Sequence, residues 1–267
     1  MVENPPGKTY RGVRRGIYLL PAFFTVGNIF CGYLCLDFAI KGNFATAAAL
    51  VFVAGFLDGI DGRVARMTRT TSAFGEQLDS LADVVSFGVA PSFLVYRWGL
   101  SGFDRLGLAA SFLFLVCGAC RLARFNVQAH VVDKRFFVGL PIPASAGTLA
   151  GLIWIFAEHP SEEVKAAFVG VTILLSFLMV STFRYRSFKD IDLRSRRSAI
   201  LVPLVGLVLA AIFWQPAWSF GALLVTFSLS APVAKLLTYL PTARARERRA
   251  ADAAARVPSP GSPAPPP

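Results

Sequence analysis

The sequence contains few charged residues for its length. Only 16% of its 267 residues are charged, whereas a typical soluble domain has about 25%. By contrast, 55% of the residues are hydrophobic, the mean hydropathy is +0.56, and apolar runs of helix length recur along the chain. This composition excludes a soluble globular domain and predicts a polytopic integral membrane protein.

Alternating polar and apolar strands are also missing from the sequence. A transmembrane β-barrel requires such segments of about ten residues each. We therefore predict an all-α membrane bundle of about eight transmembrane helices. The apolar segments lie near residues 18–40, 43–64, 76–97, 103–123, 137–157, 164–183, 198–214 and 217–240.

Cysteine is scarce, and the four cysteines lie one helical turn apart in two pairs, Cys31 with Cys35 and Cys117 with Cys120. Both pairs fall in apolar helices with no histidine nearby, so neither a zinc site nor a redox motif is favoured. We interpret the cysteines as small hydrophobic residues and predict no disulfide.

The net charge of +11 is compatible with binding to nucleic acid or to a membrane surface. No nucleic-acid motif accompanies the basic residues, which cluster between the apolar runs. If both termini are cytoplasmic, all but four of the 27 lysines and arginines fall on the cytoplasmic side, as expected for inner loops. We therefore predict no nucleic-acid partner, and contact with anionic membrane lipids instead.

Three segments follow from this topology. Residues 1–17 form a basic cytoplasmic segment, and residues 18–240 form the transmembrane domain. Residues 241–267 are basic and then rich in proline, a composition typical of a disordered tail.

Four aspartates interrupt the apolar pattern: Asp58, Asp61, Asp79 and Asp83. A carboxylate at the centre of a membrane helix costs about 2.5–3.5 kcal/mol. Each pair shares one helix face, and the short connection between the pairs makes the two helices antiparallel neighbours. The four carboxylates are therefore predicted to converge near the cytoplasmic side as an all-oxygen site for a hard divalent cation.

The residues between the aspartates indicate a phosphate ligand. Gly59 and Gly62 lie beside the carboxylates and permit close approach of a ligand to the backbone. Arg66 lies one turn after Gly62 and is suited to bind a phosphate. Metal, arginine and phosphate together favour transfer at phosphorus. The structural alternative is that the aspartates form salt bridges with Arg63, Arg66 and Arg69.

The pattern D-x2-D-G-x2-A-R-x8-G-x3-D-x3-D, from Asp58 to Asp83, resembles the signature of the CDP-alcohol phosphatidyltransferases. The resemblance implies that the four aspartates hold a centre of two Mg²⁺ or Mn²⁺ ions on the pyrophosphate of a CDP-lipid. It implies that Asp83 is also the catalytic base for the incoming hydroxyl. It further implies a homodimer, and contacts to the CDP-lipid from Gly62, Arg66 and Ser72. Gly59 is added to this set of predicted contacts because of the close backbone approach that it permits.

The first apolar segment departs from the family pattern P-N-x-x-T. Pro21 and Thr25 match, but Ala22 replaces the asparagine. Thr25 is expected to contact the CDP-lipid, and Asn28 is the candidate to supply the contact that Ala22 cannot make.

Further segments, including SLADVVSFGVAPS and GACRLARFN, are similar to the branch of the family whose acceptor is L-serine. The substrates implied are CDP-diacylglycerol and L-serine. Arg121, Arg124 and Asn126, at a cytoplasmic helix end, are candidates to bind serine or phosphate. The alternative is that the two arginines only contact lipid headgroups.

The sequence leaves several functional alternatives open. The same chemistry could use glycerol 3-phosphate, inositol phosphate or choline as the acceptor. Intramembrane aspartates also occur in divalent-cation transporters, although the outer halves of the helices are apolar here. A purely structural scaffold conflicts with the cost of four carboxylates. The expected enzyme is a multi-pass membrane protein whose active site faces the cytoplasm.

Overall fold

The computed structural model describes residues 11–68, 73–128, 136–158, 160–186, 206–207 and 209–239. The helices are α1 (Arg11–Ile40), α2 (Phe44–Thr68), α3 (Ala73–Asp83), α4 (Ala90–Trp98), α5 (Asp104–Gln128), α6 (Ile142–Ile155), α7 (Glu162–Val180) and α8 (Pro216–Tyr239). A π-helical segment, Val84–Val89, joins α3 to α4, and a 3-10 turn, Leu100–Phe103, precedes α5. Two short strands, β1 (Phe136–Val138) and β2 (Arg184–Arg186), complete the elements.

Six stretches of the described chain are long and apolar enough to cross a membrane. They are Ala22–Ile40, Phe44–Val64, Phe74–Trp98, Leu100–Val127, Glu162–Val180 and Pro216–Lys235. The predicted class, an all-α polytopic membrane bundle, is confirmed. The number of eight spans stays a prediction, because much of the segment 198–214 lies outside the described residues.

The predicted helix 137–157 differs from the structure at its beginning. Its helical part, α6, has 14 residues and is about 21 Å long, shorter than the hydrocarbon core of about 30 Å. β1 precedes it and pairs with β2 in antiparallel register. Gly139 follows with φ of +79°, and a Cβ there would lie 2.3 Å from the carbonyl oxygen of Met179. Only glycine fits this turn against the end of α7.

Small residues bring the helices close together. A Cβ on Gly151 of α6 would lie 2.9 Å from the Cα of Gly221 on α8, a spacing that suits close packing of membrane helices. Cys31, Cys35 and Cys117 are buried as predicted, whereas Cys120 is exposed, and all four are free thiols.

The arrangement of α1, α2 and α3 positions the site. α1 packs along the length of α2 and also contacts α3 and the π-helical segment. α1 begins at Arg11, so the helix extends into the predicted basic segment 1–17. Residues 1–10 and 240–267, including the predicted tail, lie outside the described residues.

Candidate active site

Two neighbouring helices carry the four aspartates. Asp58 and Asp61 lie on α2, and Asp79 and Asp83 lie on α3. Asp58, Asp79 and Asp83 can each offer one carboxylate oxygen such that all three oxygens lie within 4.8 Å of one another. The structure thus brings three of the four predicted ligands into one cluster.

The chemistry of this cluster fits a hard divalent cation. Asp79 Oδ1 and Asp83 Oδ1 are buried and have no hydrogen-bond partner among the described residues. Asp83 also interacts electrostatically with Asp58 and Asp79, and the side chains of Asp58 and Asp83 are hydrogen-bonded to each other, so three acidic groups face one another inside the membrane domain. Buried carboxylates require compensation, and oxygen atoms at this spacing are the ligands that Mg²⁺, Mn²⁺ and Ca²⁺ prefer.

Asp61, one helical turn from Asp58, is not one of these three residues, although it interacts electrostatically with Asp58 and Asp79. Its side chain is buried, and Asp61 Oδ2 accepts a hydrogen bond of 2.6 Å from Thr25 Oγ1 on α1. Thr25 thus contacts a predicted metal ligand in the structure. Its predicted contact with the CDP-lipid stays a prediction.

Asn28 lies one turn after Thr25 on α1 and is fully buried, at 0% exposure. Its side-chain atoms Nδ2 and Oδ1 have no hydrogen-bond partner in the part of the chain that the structure describes. Leaving such groups unpaired costs about 1–3 kcal/mol. The backbone carbonyl of Asn28 accepts a hydrogen bond from Ser86 Oγ, which lies three residues after Asp83. The carboxamide of Asn28 therefore has hydrogen-bonding capacity that no described residue satisfies.

The predicted phosphate-binding residues are only partly described. Gly59 is exposed, and a Cβ there would meet no atom within 4 Å, so there is open space beside Asp58. Gly62 is half-buried on α2. The side chain of Arg66 and all of Ser72 lie outside the described residues. Arg63 is exposed and forms no ion pair with the aspartates among the described side chains, which weakens the salt-bridge alternative for this arginine.

The three candidate serine-binding residues occupy different positions at the end of α5. Arg121 is buried and interacts electrostatically with Asp83, and its Nε has no hydrogen-bond partner among the residues described. Arg124 Nη1 donates to the carbonyl oxygen of Val180 at 3.4 Å, at the end of α7. Asn126 Nδ2 donates to Ser80 Oγ on α3 at 2.9 Å. Of the three, Arg121 is the one with a described interaction with the aspartate cluster.

Sequence reasoning missed Ser80 and Ser86. Both are short polar side chains in an apolar helix, and each bonds to another helix: Ser80 to Asn126 on α5, and Ser86 to Asn28 on α1. The signal for them in the sequence was their position: Ser80 directly follows Asp79, and Ser86 lies three residues after Asp83. The partner of each serine depends on helix packing, which their spacing alone does not specify.

The fold and the site together define a helical membrane protein with a carboxylate cluster suited to a divalent metal. Residues 18–182 match the CDP-alcohol phosphatidyltransferase family, and the chain belongs to this family. Its members are metal-dependent enzymes, in agreement with the cluster of Asp58, Asp79 and Asp83.

Several relatives align with most of the chain, and each bears the name CDP-diacylglycerol–serine O-phosphatidyltransferase. The protein from Helicobacter pylori strain J99 is 42% identical over 205 residues, which cover 75% of this chain and 84% of the relative. The protein from Methanocaldococcus jannaschii is 36% identical, covering 66% of this chain and 78% of the relative. The protein from Bacillus subtilis strain 168 is 35% identical, covering 64% of this chain and 91% of the relative.

Proposed function

We propose that this enzyme transfers the phosphatidyl group of CDP-diacylglycerol to L-serine, with phosphatidylserine and CMP as products. The observation that carries the proposal is the convergence of Asp58, Asp79 and Asp83 within 4.8 Å in a chain of this family. The shared name of the relatives supports serine as the acceptor.

The four aspartates would hold two Mg²⁺ or Mn²⁺ ions. Asp58, Asp79 and Asp83 supply clustered oxygens, and Asp61 presents its carboxylate from the same face of α2. When bound, divalent metal supplies positive charge that stabilises the diphosphate and the departing CMP.

The chemical step needs a base for the hydroxyl of serine. Asp83 accepts the proton of this hydroxyl as the serine oxygen forms a bond to the phosphorus of the phosphatidyl group. The bond between that phosphorus and the oxygen of CMP breaks, and CMP leaves with the electron pair.

The substrate contacts follow from the environments of the residues. The unpaired carboxamide of Asn28 and the open backbone at Gly59 bind the CDP-lipid. Gly62, Arg66 and Ser72 contribute to the same subsite, as the family signature implies. Arg121 binds the carboxylate of serine, because its guanidinium lies near the proposed base.

We assign Arg124 and Asn126 an indirect part in binding serine or phosphate. The guanidinium of Arg124 reaches the end of α7, and the amide of Asn126 reaches Ser80. Both side chains would support the shape of the acceptor subsite.

The proposed setting is a multi-pass membrane protein whose active site faces the cytoplasm, as the distribution of basic residues favours. Residues 18–240 form the transferase domain. The enzyme works as a homodimer, and its basic segments contact the headgroups of anionic lipids.

The test is a panel of acceptors supplied to the purified enzyme with CDP-diacylglycerol and either Mg²⁺ or Mn²⁺. L-Serine, glycerol 3-phosphate, inositol phosphate and choline are compared by the release of CMP. We expect release with serine well above the blank without acceptor. No release above that blank with serine would contradict the proposal, and release with another acceptor would identify the alternative.

A matched pair of variants separates catalysis from folding. Asp83→Asn should abolish CMP release, whereas Asp37→Asn should not. Asp37 pairs with Lys41 at 2.5 Å near the end of α1 remote from Thr25. Ion flux into liposomes that persists in Asp83→Asn would favour the cation-transporter alternative.

A further inference from the structure

The hydrogen bond between Thr25 and Asp61 joins two helices at the candidate active site. Thr25 Oγ1 on α1 donates to Asp61 Oδ2 on α2 at 2.6 Å, across 36 positions of sequence. Both residues are nearly inaccessible, at 4% and 5% exposure. A short hydrogen bond to a carboxylate is stronger than one between neutral groups, and burial strengthens it further.

This hydrogen bond orients the carboxylate of Asp61, which is not one of the three clustered aspartates. The oxygens of Asp58, Asp79 and Asp83 lie within 4.8 Å of one another, but Asp61 does not belong to that group. Its position is set from α1 by Thr25 instead. Because Thr25 donates its hydrogen bond to Oδ2 of Asp61, the other carboxylate oxygen, Oδ1, receives no hydrogen bond from Thr25.

We propose that Thr25 is a positioning residue that holds Asp61 so that Oδ1 serves as a ligand of the divalent metal centre. The inference rests on the proposed function, in which Asp61 is a metal ligand. It assigns Thr25 a task in metal binding, through another side chain, in addition to its expected contact with the CDP-lipid.

The hydrogen bond from Thr25 restricts rotation of the buried carboxylate of Asp61 and so fixes its orientation. Without its donor, the carboxylate of Asp61 can rotate, and it loses a buried hydrogen bond. Residues that orient metal ligands typically change metal affinity by 10–100-fold when they are replaced.

The test measures Mn²⁺ binding to the purified full-length protein without substrate, by calorimetry or by the spectrum of free Mn²⁺. Thr25→Val keeps the shape of the side chain but removes the hydroxyl, and we expect roughly 10–100-fold weaker binding of Mn²⁺. Thr25→Ser keeps the hydroxyl and should retain most of the affinity. Unchanged affinity in Thr25→Val would overturn the inference.

A control variant, Thr172→Val, removes a comparable hydroxyl far from the site. Thr172 is fully buried and bonds only within α7, to the carbonyl oxygen of Phe168 at 2.7 Å. Its loss should lower stability slightly and leave Mn²⁺ binding unchanged. An equal loss of Mn²⁺ affinity in Thr172→Val would show a general structural effect and overturn the role of Thr25.

Asp61→Asn distinguishes failure of this inference from failure of the proposed function. If Mn²⁺ binding is unchanged in Asp61→Asn, Asp61 is not a metal ligand, and both the inference and that part of the proposed function are wrong. If Asp61→Asn weakens binding and Thr25→Val does not, only the inference is wrong. Should Thr25→Val fail to fold, the pair Thr25→Ala and Thr25→Ser makes the same comparison: equal affinities would contradict the inference.

Discussion

Ser86 donates its hydroxyl to the backbone carbonyl of Asn28 at 2.9 Å, and this bond fastens the π-helical segment to α1. The segment begins directly after Asp83, and π-helical turns are frequent at functional sites. Gly32 lies one turn further along α1, where a Cβ would approach Ser86 Oγ at 2.8 Å and Ser86 Cα at 3.0 Å. The close approach of the two helices therefore depends on a glycine at this position.

Gly32→Ala should destabilise the protein by about 1–3 kcal/mol, because the added methyl group forces the π-helical segment away from α1. Activity should fall as well, since Asp83 moves with the segment. Thermal unfolding in detergent measures the first effect. Gly170→Ala on α7 is the control, because a Cβ there meets no atom within 4 Å; equal stability of the two variants would contradict the predicted contact.

Asp79→Asn should abolish activity and yet stabilise the metal-free protein. The substitution removes one of the acidic groups that repel one another in the half-buried cluster, and relief of such repulsion favours the folded state. An increase of about 1 kcal/mol would raise the melting temperature by roughly 2–4 °C. A lower melting temperature without metal would show that Asp79 is stabilised by the protein itself and not by a cation.

Gly59→Ala should leave folding unchanged and weaken the binding of CDP-diacylglycerol. No atom of the described residues lies within 4 Å of the added Cβ, so we attribute a loss of affinity to contact with the ligand. The measurement is KM for CDP-diacylglycerol together with the melting temperature. An unchanged KM would remove Gly59 from the proposed subsite.

Arg121→Lys should raise KM for serine by about 10–100-fold, because a lysine cannot form the paired hydrogen bonds of a guanidinium with a carboxylate. KM for CDP-diacylglycerol should change little. Arg105→Lys is the matched control, since Arg105 is exposed at the start of α5, at the opposite end of that helix from Arg121. If both variants change KM for serine equally, Arg121 has no special role in recognising the acceptor.

Much of the site could be predicted because helical periodicity specifies which residues share a face. The spacing of Asp58 and Asp61, and of Asp79 and Asp83, places each pair on one side of its helix, and a short connection makes the helices neighbours. That reasoning requires no knowledge of side-chain packing. The family signature then supplied roles for these residues.

Other features depend on packing that periodicity does not reveal. The hydrogen bond from Thr25 to Asp61 joins α1 to α2, and that from Asn126 to Ser80 joins α5 to α3. Which residues pair across two helices depends on the axial offset between those helices. The π-helical segment after Asp83 and the short pairing of β1 with β2 also have no strong local signal.

The central claim, transfer of a phosphatidyl group to serine, is tested most directly by the stoichiometry of the products. Isotope-labelled L-serine and CDP-diacylglycerol are incubated with the enzyme and divalent metal, and labelled phosphatidylserine and CMP are quantified by mass spectrometry. We predict one labelled phosphatidylserine for each CMP released. Release of CMP with phosphatidic acid and no labelled phosphatidylserine would contradict the account, because water would then be the acceptor.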